Sequence, residues 1–271
     1  MPSLTGDKFS NFYKRLFQVS QTSNTGVDAT TRQVQTGGGE DTSLSISDDV
    51  LRVQPQNDDT TGAMQIRNKS GATILAVDTT NSKVLGGATQ TALNTQYAYF
   101  GANWTDQLGF TADIHHAVPF NTGVSTGVAG TAMGSSTNMS FNDRNPADSL
   151  TLTASAHFYA ACYWHVIDDI TIDAVSWWHG ADTATGEDVA AHLMGYDVVS
   201  DNSSTSGDLS NGTVLADGAT ITNAGEEQIY YQSMTIQSAD VDAGKVILFT
   251  FASDTVNSDY TINATVKYHI R

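Results

Sequence analysis

The chain of 271 residues has one cysteine, four prolines and only 12 Lys and Arg against 29 Asp and Glu. With a single cysteine no intrachain disulfide can form, so stability has to come from packing. Cys162 lies in the apolar run from Phe158 to Trp164, where a free thiol is expected in the core. The net charge of −17 argues against nucleic acid as a partner, since contact would add repulsion instead of releasing counterions. No window approaches the roughly 18 apolar residues of a membrane span, so membrane insertion is not expected. The first residues hold no apolar stretch like that of a secretory leader, and export by that route is not expected either. What is abundant is Thr, Ser, Asn, Asp and Gly. Thr suits a pleated surface and Gly, Asn and Asp suit tight turns, so the expected fold class is all-β.

The charge is unevenly divided. Before residue 88, eight basic residues nearly balance nine acids. After it, only Arg144, Lys245, Lys267 and Arg271 stand against 20 acids. The division suggests two parts with two tasks: an N-terminal segment (1–40), a thin β region (41–87), a linker (88–100) and a globular head (101–271).

Within the N-terminal segment, Phe9, Phe12, Tyr13, Leu16 and Phe17 recur at intervals of three and four behind a candidate cap, Asp7. The spacing predicts a short helix with a strongly aromatic face. Residues 20–39, ending in Gly37-Gly38-Gly39, read as an extended arm. Such a helix cannot bury its own apolar face, so it is expected to bury it on another protein; the alternative is that it folds back onto the head.

From Leu44 to Leu85 short apolar groups alternate with turns: Leu44 and Ile46; Val50, Leu51 and Val53; Met64 and Ile66; Ile74, Leu75 and Val77; Val84 and Leu85. Between them lie Asn57–Gly62, Asn68–Gly71 and Asp78–Ser82, which have turn composition. A stretch this short cannot close a core by itself. Three copies wrapped about an axis would supply the missing faces, with Leu44, Ile46, Val50, Leu51, Val53, Ile66, Ile74, Leu75, Val77 and Val84 as the shared core.

The stretch 43–85, above all "NKSGATILAVDTTNSKVL", resembles the shaft segments of bacteriophage tail-fibre and capsid-fibre proteins. Similar hairpins also occur in bacterial trimeric adhesins. In the fibre pattern Ile74, Leu75, Val77 and Val84 would face a threefold axis. Residues 206–222, 226–248 and 257–271 look like the terminal heads of such fibres. The resemblance implies an intertwined trimeric β shaft followed by a β-sandwich or jelly-roll head. It further implies a homotrimer located on the virion, made in the host cytoplasm, held to other virion proteins by the N-terminal segment and presenting its head to a host surface.

In the head, strands are expected over 108–118, 149–154, 156–167, 170–178, 189–199, 227–237, 245–251 and 259–270, with no helix. Ile170, Ile172, Ala174 and Ser176 are expected on one face and Thr171, Asp173, Val175 and Trp177 on the other. Tyr260, Ile262, Ala264, Val266 and Tyr268 are expected to share a face.

The chemistry expected of the head is binding. His115 and His116, as strand neighbours, would face opposite sides and could not share an ion. His157 and His165 would lie roughly 26 Å apart at strand rise. His179 and His192 flank a loop with Asp182, Glu187 and Asp188, yet the spacing matches no zinc signature. Neither a metal nor a cofactor is expected. No nucleophile elbow, HExxH or phosphate loop is present. Asp168-Asp169 and Glu226-Glu227 have the character of surface charge, so an enzyme is not expected. Trp104, Trp177, Trp178 and His179 are candidate receptor contacts, because aromatics beside Asp and Asn suit a glycan; the alternative is that they fill the core. The expected function is a virion fibre that adheres to a host surface, a protein or a glycan. The alternatives are a capsid fibre or decoration protein without receptor choice, and a polysaccharide depolymerase.

Overall fold

The computed structural model describes residues 16–21, 26–87, 91–104, 112–121, 131–133, 146–152, 156–182, 185–255 and 259–271. It is almost entirely strand, as the composition predicts, and it divides into two units, Met1–Leu93 and Asn94–Arg271.

The first unit contains two four-stranded antiparallel sheets, each with its strands in sequence order. One is built from β1 (Phe17–Val19), β2 (Arg32–Thr36), β3 (Asp41–Ile46) and β4 (Leu51–Val53). The other comprises β5 (Met64–Arg67), β6 (Thr73–Asp78), β7 (Lys83–Gly86) and β8 (Thr91–Ala92). Local chemistry sets the reversals. Between β5 and β6, Asn68 Oδ1 accepts the Ala72 N–H at 2.9 Å while Gly71 takes a positive φ of 87°. Between β6 and β7, Asp78 Oδ1 accepts the Asn81 N–H at 2.9 Å.

Register places the apolar residues of each sheet together. Leu44 pairs with Val53 and Ile46 with Leu51. Met64 pairs with Val77, Ile66 with Leu75 and Val77 with Val84. Within this unit no described residue buries these faces: Leu51 is 70% exposed and Ile66 48%. Among the described residues of this unit, the one buried hydrophobic side chain is Ala76.

The second unit has a core. Its elements are β9 (Thr95–Trp104), β10 (His116–Val118), β11 (Thr131–Ala132), α1 (Ala156–Ala160), β12 (Trp164–His165), β13 (Ile170–Asp182) and β14 (Asp188–Val198). They continue with β15 (Leu209–Asp217), β16 (Ile221–Thr222), β17 (Gln228–Ser233), β18 (Thr235–Ile236), β19 (Asp240–Val241), β20 (Val246–Ser253) and β21 (Asp259–Ile270). One sheet runs β17-β13-β21-β9 and the other has β10-β20-β14-β15 at its centre. All pairings between them are antiparallel. Taken in sequence order, these strands alternate between the sheets except at the hairpin β14-β15, and the first pairs with the last, which is jelly-roll connectivity.

Phe100, Trp177, Ile247, Phe249, Phe251 and Ile262 fill the space between the sheets. Strand β20 is buried along its whole length because its other side chains enter a second core. There Val246 and Leu248 meet Met194, Tyr196, Tyr159 and Cys162, beneath the segment that carries α1. This explains the unbroken apolar run Val246–Phe249, where a half-exposed strand would alternate.

The structure differs from the expectations at several points. Phe17 begins a strand, not the end of a helix, and pairs with Thr36. Leu16 is not helical either: its carbonyl accepts the Gly37 N–H at 2.8 Å; the rest of the expected helix (Phe9, Phe12 and Tyr13) lies outside the described residues. The expected arm, 20–39, contains β2, so the sheet crosses residue 40. Residues 95–100 are not linker but the start of β9. Residues 156–160 are helical, so His157 lies on α1 rather than on a strand with His165. Ile74 exposes its side chain on the face opposite Leu75 and Val77, because neighbours in a strand point to opposite sides.

The expected alternation in β13 holds only over Ile170–Ile172. Ile172 pairs with Tyr268 and Ala174 with Lys267, so Asp173 is an extra residue, a β-bulge. Beyond it the phase reverses: Val175, Trp177, His179 and Ala181 turn inward and Ala174 outward.

Candidate functional site

Because the bulge turns Trp177 inward, it turns Trp178 outward. Trp177 is fully buried, with its indole Nε1–H donating to Gln232 Oε1 at 3.0 Å. Trp178 is 49% exposed and meets Tyr231, itself 51% exposed, at a ring-centroid distance of 4.7 Å. Trp104 and His179 are buried as well. Trp104 lies against Phe251, 5.8 Å between centroids. His179 stacks between Trp177 and Tyr230 and bonds Asn223 Oδ1 at 2.8 Å. Of the candidate receptor contacts Trp104, Trp177, Trp178 and His179, only Trp178 is therefore at the surface; the other three are core.

The surface around Trp178 is the outer side of the sheet β17-β13-β21-β9. Register orders it into rows across the strands. One row is Tyr231, Trp178, Asn263 and Gly101; the next is Ser233, Ser176, Thr265 and Tyr99. On one side of these lies Ile229, Gly180, Thr261 and Asn103, and on the other Ala174, Lys267 and Tyr97. Tyr97, Tyr99 and Ile229 are also largely exposed. The rows contain aromatic rings, amides and hydroxyls, and one charge, that of Lys267. Sequence reasoning missed Tyr97, Tyr99, Ile229 and Tyr231. The period-two pattern from Tyr97 to Trp104, with Ala98, Phe100, Ala102 and Trp104 facing in, was a usable signal.

The histidines are mostly structural. His115 and His192 meet edge to face with centroids 4.9 Å apart. His116 packs against Trp104 at 6.2 Å, on the other side of the sheet from His115, as strand neighbours must. Burial pushes all four of His115, His116, His179 and His192 below the ordinary imidazole value, His116 and His192 to about 4. His269 Nδ1 lies 3.0 Å from Asp173 Oδ2, which anchors the bulge. Glu187 accepts the Tyr260 hydroxyl and Asp188 that of Thr222, so these acids serve the loop ahead of β14. Among the described residues no group of three or more His, Cys, Asp or Glu is arranged to hold a metal ion. Burial raises the Cys162 thiol to about 12, which leaves it protonated and unreactive at neutral pH.

No protein-family model matches the chain, and no curated protein matches it in sequence.

Proposed function

We propose that the chain is a bacteriophage virion fibre, a homotrimer attached to the particle by its N-terminal segment, whose head adheres to a host surface. The observation that carries this reading is the first unit's lack of a core. Eight described strands leave Leu51, Val53, Met64, Ile66, Ile74 and Val84 exposed and bury one hydrophobic side chain, Ala76. Sheets this thin gain stability only when further chains cover them. Leu44, Ile46, Leu51 and Val53 on one sheet, and Met64, Ile66, Leu75, Val77 and Val84 on the other, are the faces that such chains would cover. The resemblance of residues 43–85 to fibre shafts supports three copies over two.

For the head, the outer sheet face is the adhesive surface, with Trp178 and Tyr231 on its β17 side. Exposed aromatics of this kind are enriched where proteins bind. Immunogold labelling of purified particles with antibody to the chain tests the reading. Label at the tail supports a host-adhesion fibre, label over the capsid supports a capsid fibre, and particles free of the chain would refute both.

A further inference from the structure

We infer that the outer face of the sheet β17-β13-β21-β9 is a binding platform for a neutral saccharide chain lying across the strands. The inference rests on the adhesive reading of the head and specifies its ligand.

The first argument is the kind of groups present and their spacing. Tyr231 and Trp178 form one aromatic step at the β17 side, and Tyr99 and Tyr97 form another on β9. Strands lie about 4.8 Å apart, so roughly 14 Å separates β17 from β9 across the face. A short oligosaccharide spans such a distance and presents C–H faces to rings and hydroxyls to amides. Between the two steps stand Ser176, Asn263 and Thr265, with Thr261 and Asn103 alongside.

The second argument is that these polar groups are unspent. The side chains of Ser176, Asn263, Thr265, Tyr97 and Tyr99 and the Trp178 indole N–H make no hydrogen bond to another described residue, whereas Trp177 on the same strand is bonded. Were a second copy of the chain to cover this face, Asn263 and Thr265 would be buried in its middle and would each need a partner. A saccharide supplies those partners hydroxyl by hydroxyl.

The third argument is charge. The part of the chain after residue 87 has 20 acids and four basic residues, yet the four rows contain no carboxylate and a single lysine, Lys267. Acids return at the next row, where Asp182 pairs with Asp259 at the end of the strands, so the middle of the face suits a ligand without charge. Anionic sugars would meet the negative field of the surrounding domain.

The test is binding of the intact chain to a printed panel of neutral oligosaccharides (glucose, galactose, mannose, rhamnose and N-acetylhexosamine based) and of their uronate- and sialate-bearing counterparts. The best probe is then titrated by calorimetry. Expected is saturable binding of a neutral probe, weakened about tenfold or more by Trp178→Ala and by Tyr99→Ala and less by Trp178→Phe. The unfolding temperature of all three variants should match the parent, since these rings are at the surface. Binding confined to anionic probes, no binding, or binding unaffected by Trp178→Ala would overturn the inference. A lower oligomeric mass in Trp178→Ala would also overturn it, because another copy would then occupy the face. Mass is measured on the same samples. A trimer that binds no sugar refutes only the saccharide, while a monomer that binds sugar refutes the fibre and leaves the platform.

Discussion

Acidification from pH 6.5 to about 4 is expected to unfold the head by charging histidines that the fold holds neutral. His115, His116, His179 and His192 are all buried, and burial is the main cause that lowers each below its value of 6.5 in the unfolded chain. With the folded-state value depressed, protons bind the unfolded chain more readily. Stability is therefore complete above about pH 6.5 and falls as the pH drops toward 4. A displacement from 6.5 to about 4, as at His116 and His192, corresponds to roughly 3 kcal/mol per residue once fully expressed. The contributions do not simply add. Charging His115 opposes charging His192, whose ring is 4.9 Å away, while Asp217, 3.1 Å from His192 Nε2, favours the charged form. Even so, several kcal/mol is a large share of the roughly 5–15 kcal/mol that holds a domain together. The assay is urea unfolding of the intact chain, followed by tryptophan fluorescence, at steps between about pH 7.5 and 4.5. This window lies above most carboxylate titration, so histidine dominates it. The variants His116→Gln and His192→Asn should be less stable at neutral pH but should each lose less on acidification. A midpoint that stays level across the window, or a slope unchanged in both variants, would refute the argument.

Other expectations follow from particular contacts. Trp177→Ala should destabilise the head by about 3–5 kcal/mol, by removing a fully buried indole and its bond to Gln232, whereas Trp178→Ala should change stability little; paired denaturation curves check this. Deleting Asp173 should leave the head folded at a cost of about 1–3 kcal/mol, because the inward set on both sides of the bulge is kept and only the His269 partner is lost. Deleting Ser176 should instead turn Trp177 outward and prevent folding, and circular dichroism separates the two outcomes. Cys162 should react with a thiol reagent only after denaturant is added; rapid labelling of the native chain would contradict its burial.

Much of the architecture was legible because side-chain period and turn chemistry are local. The last strand, with Tyr260, Ile262, Ala264 and Val266 inward, is read directly from alternation, and the reversals at Asn68–Gly71 and Asp78–Ser82 from their turn residues. The candidate site was less legible, because it depends on a single inserted residue. Nothing local marks Asp173 as extra; the bulge shows only against the register of β21, with Tyr268 on one side and Lys267 on the other. Without it Trp177 and Trp178 are a pair of indoles with one inward and one outward, and sequence cannot order them. The residues beside Trp178 come from β9 and β17, far apart in the chain, so no spacing connects Tyr99 with Tyr231. The helix at Ala156–Ala160 escaped because the run into Trp164 is apolar throughout and has no clear period.

The central claim is that residues 17–93 need other copies of the chain to cover their apolar faces. The most direct measurement is the solution mass of the intact protein, by light scattering, beside that of a variant carrying Leu51→Glu, Ile66→Glu and Val77→Glu. The account predicts a mass of about three times 28.8 kDa for the parent and dissociation in the variant with the head still folded. A stable parent monomer of 28.8 kDa, or a trimer indifferent to all three charges, would contradict it.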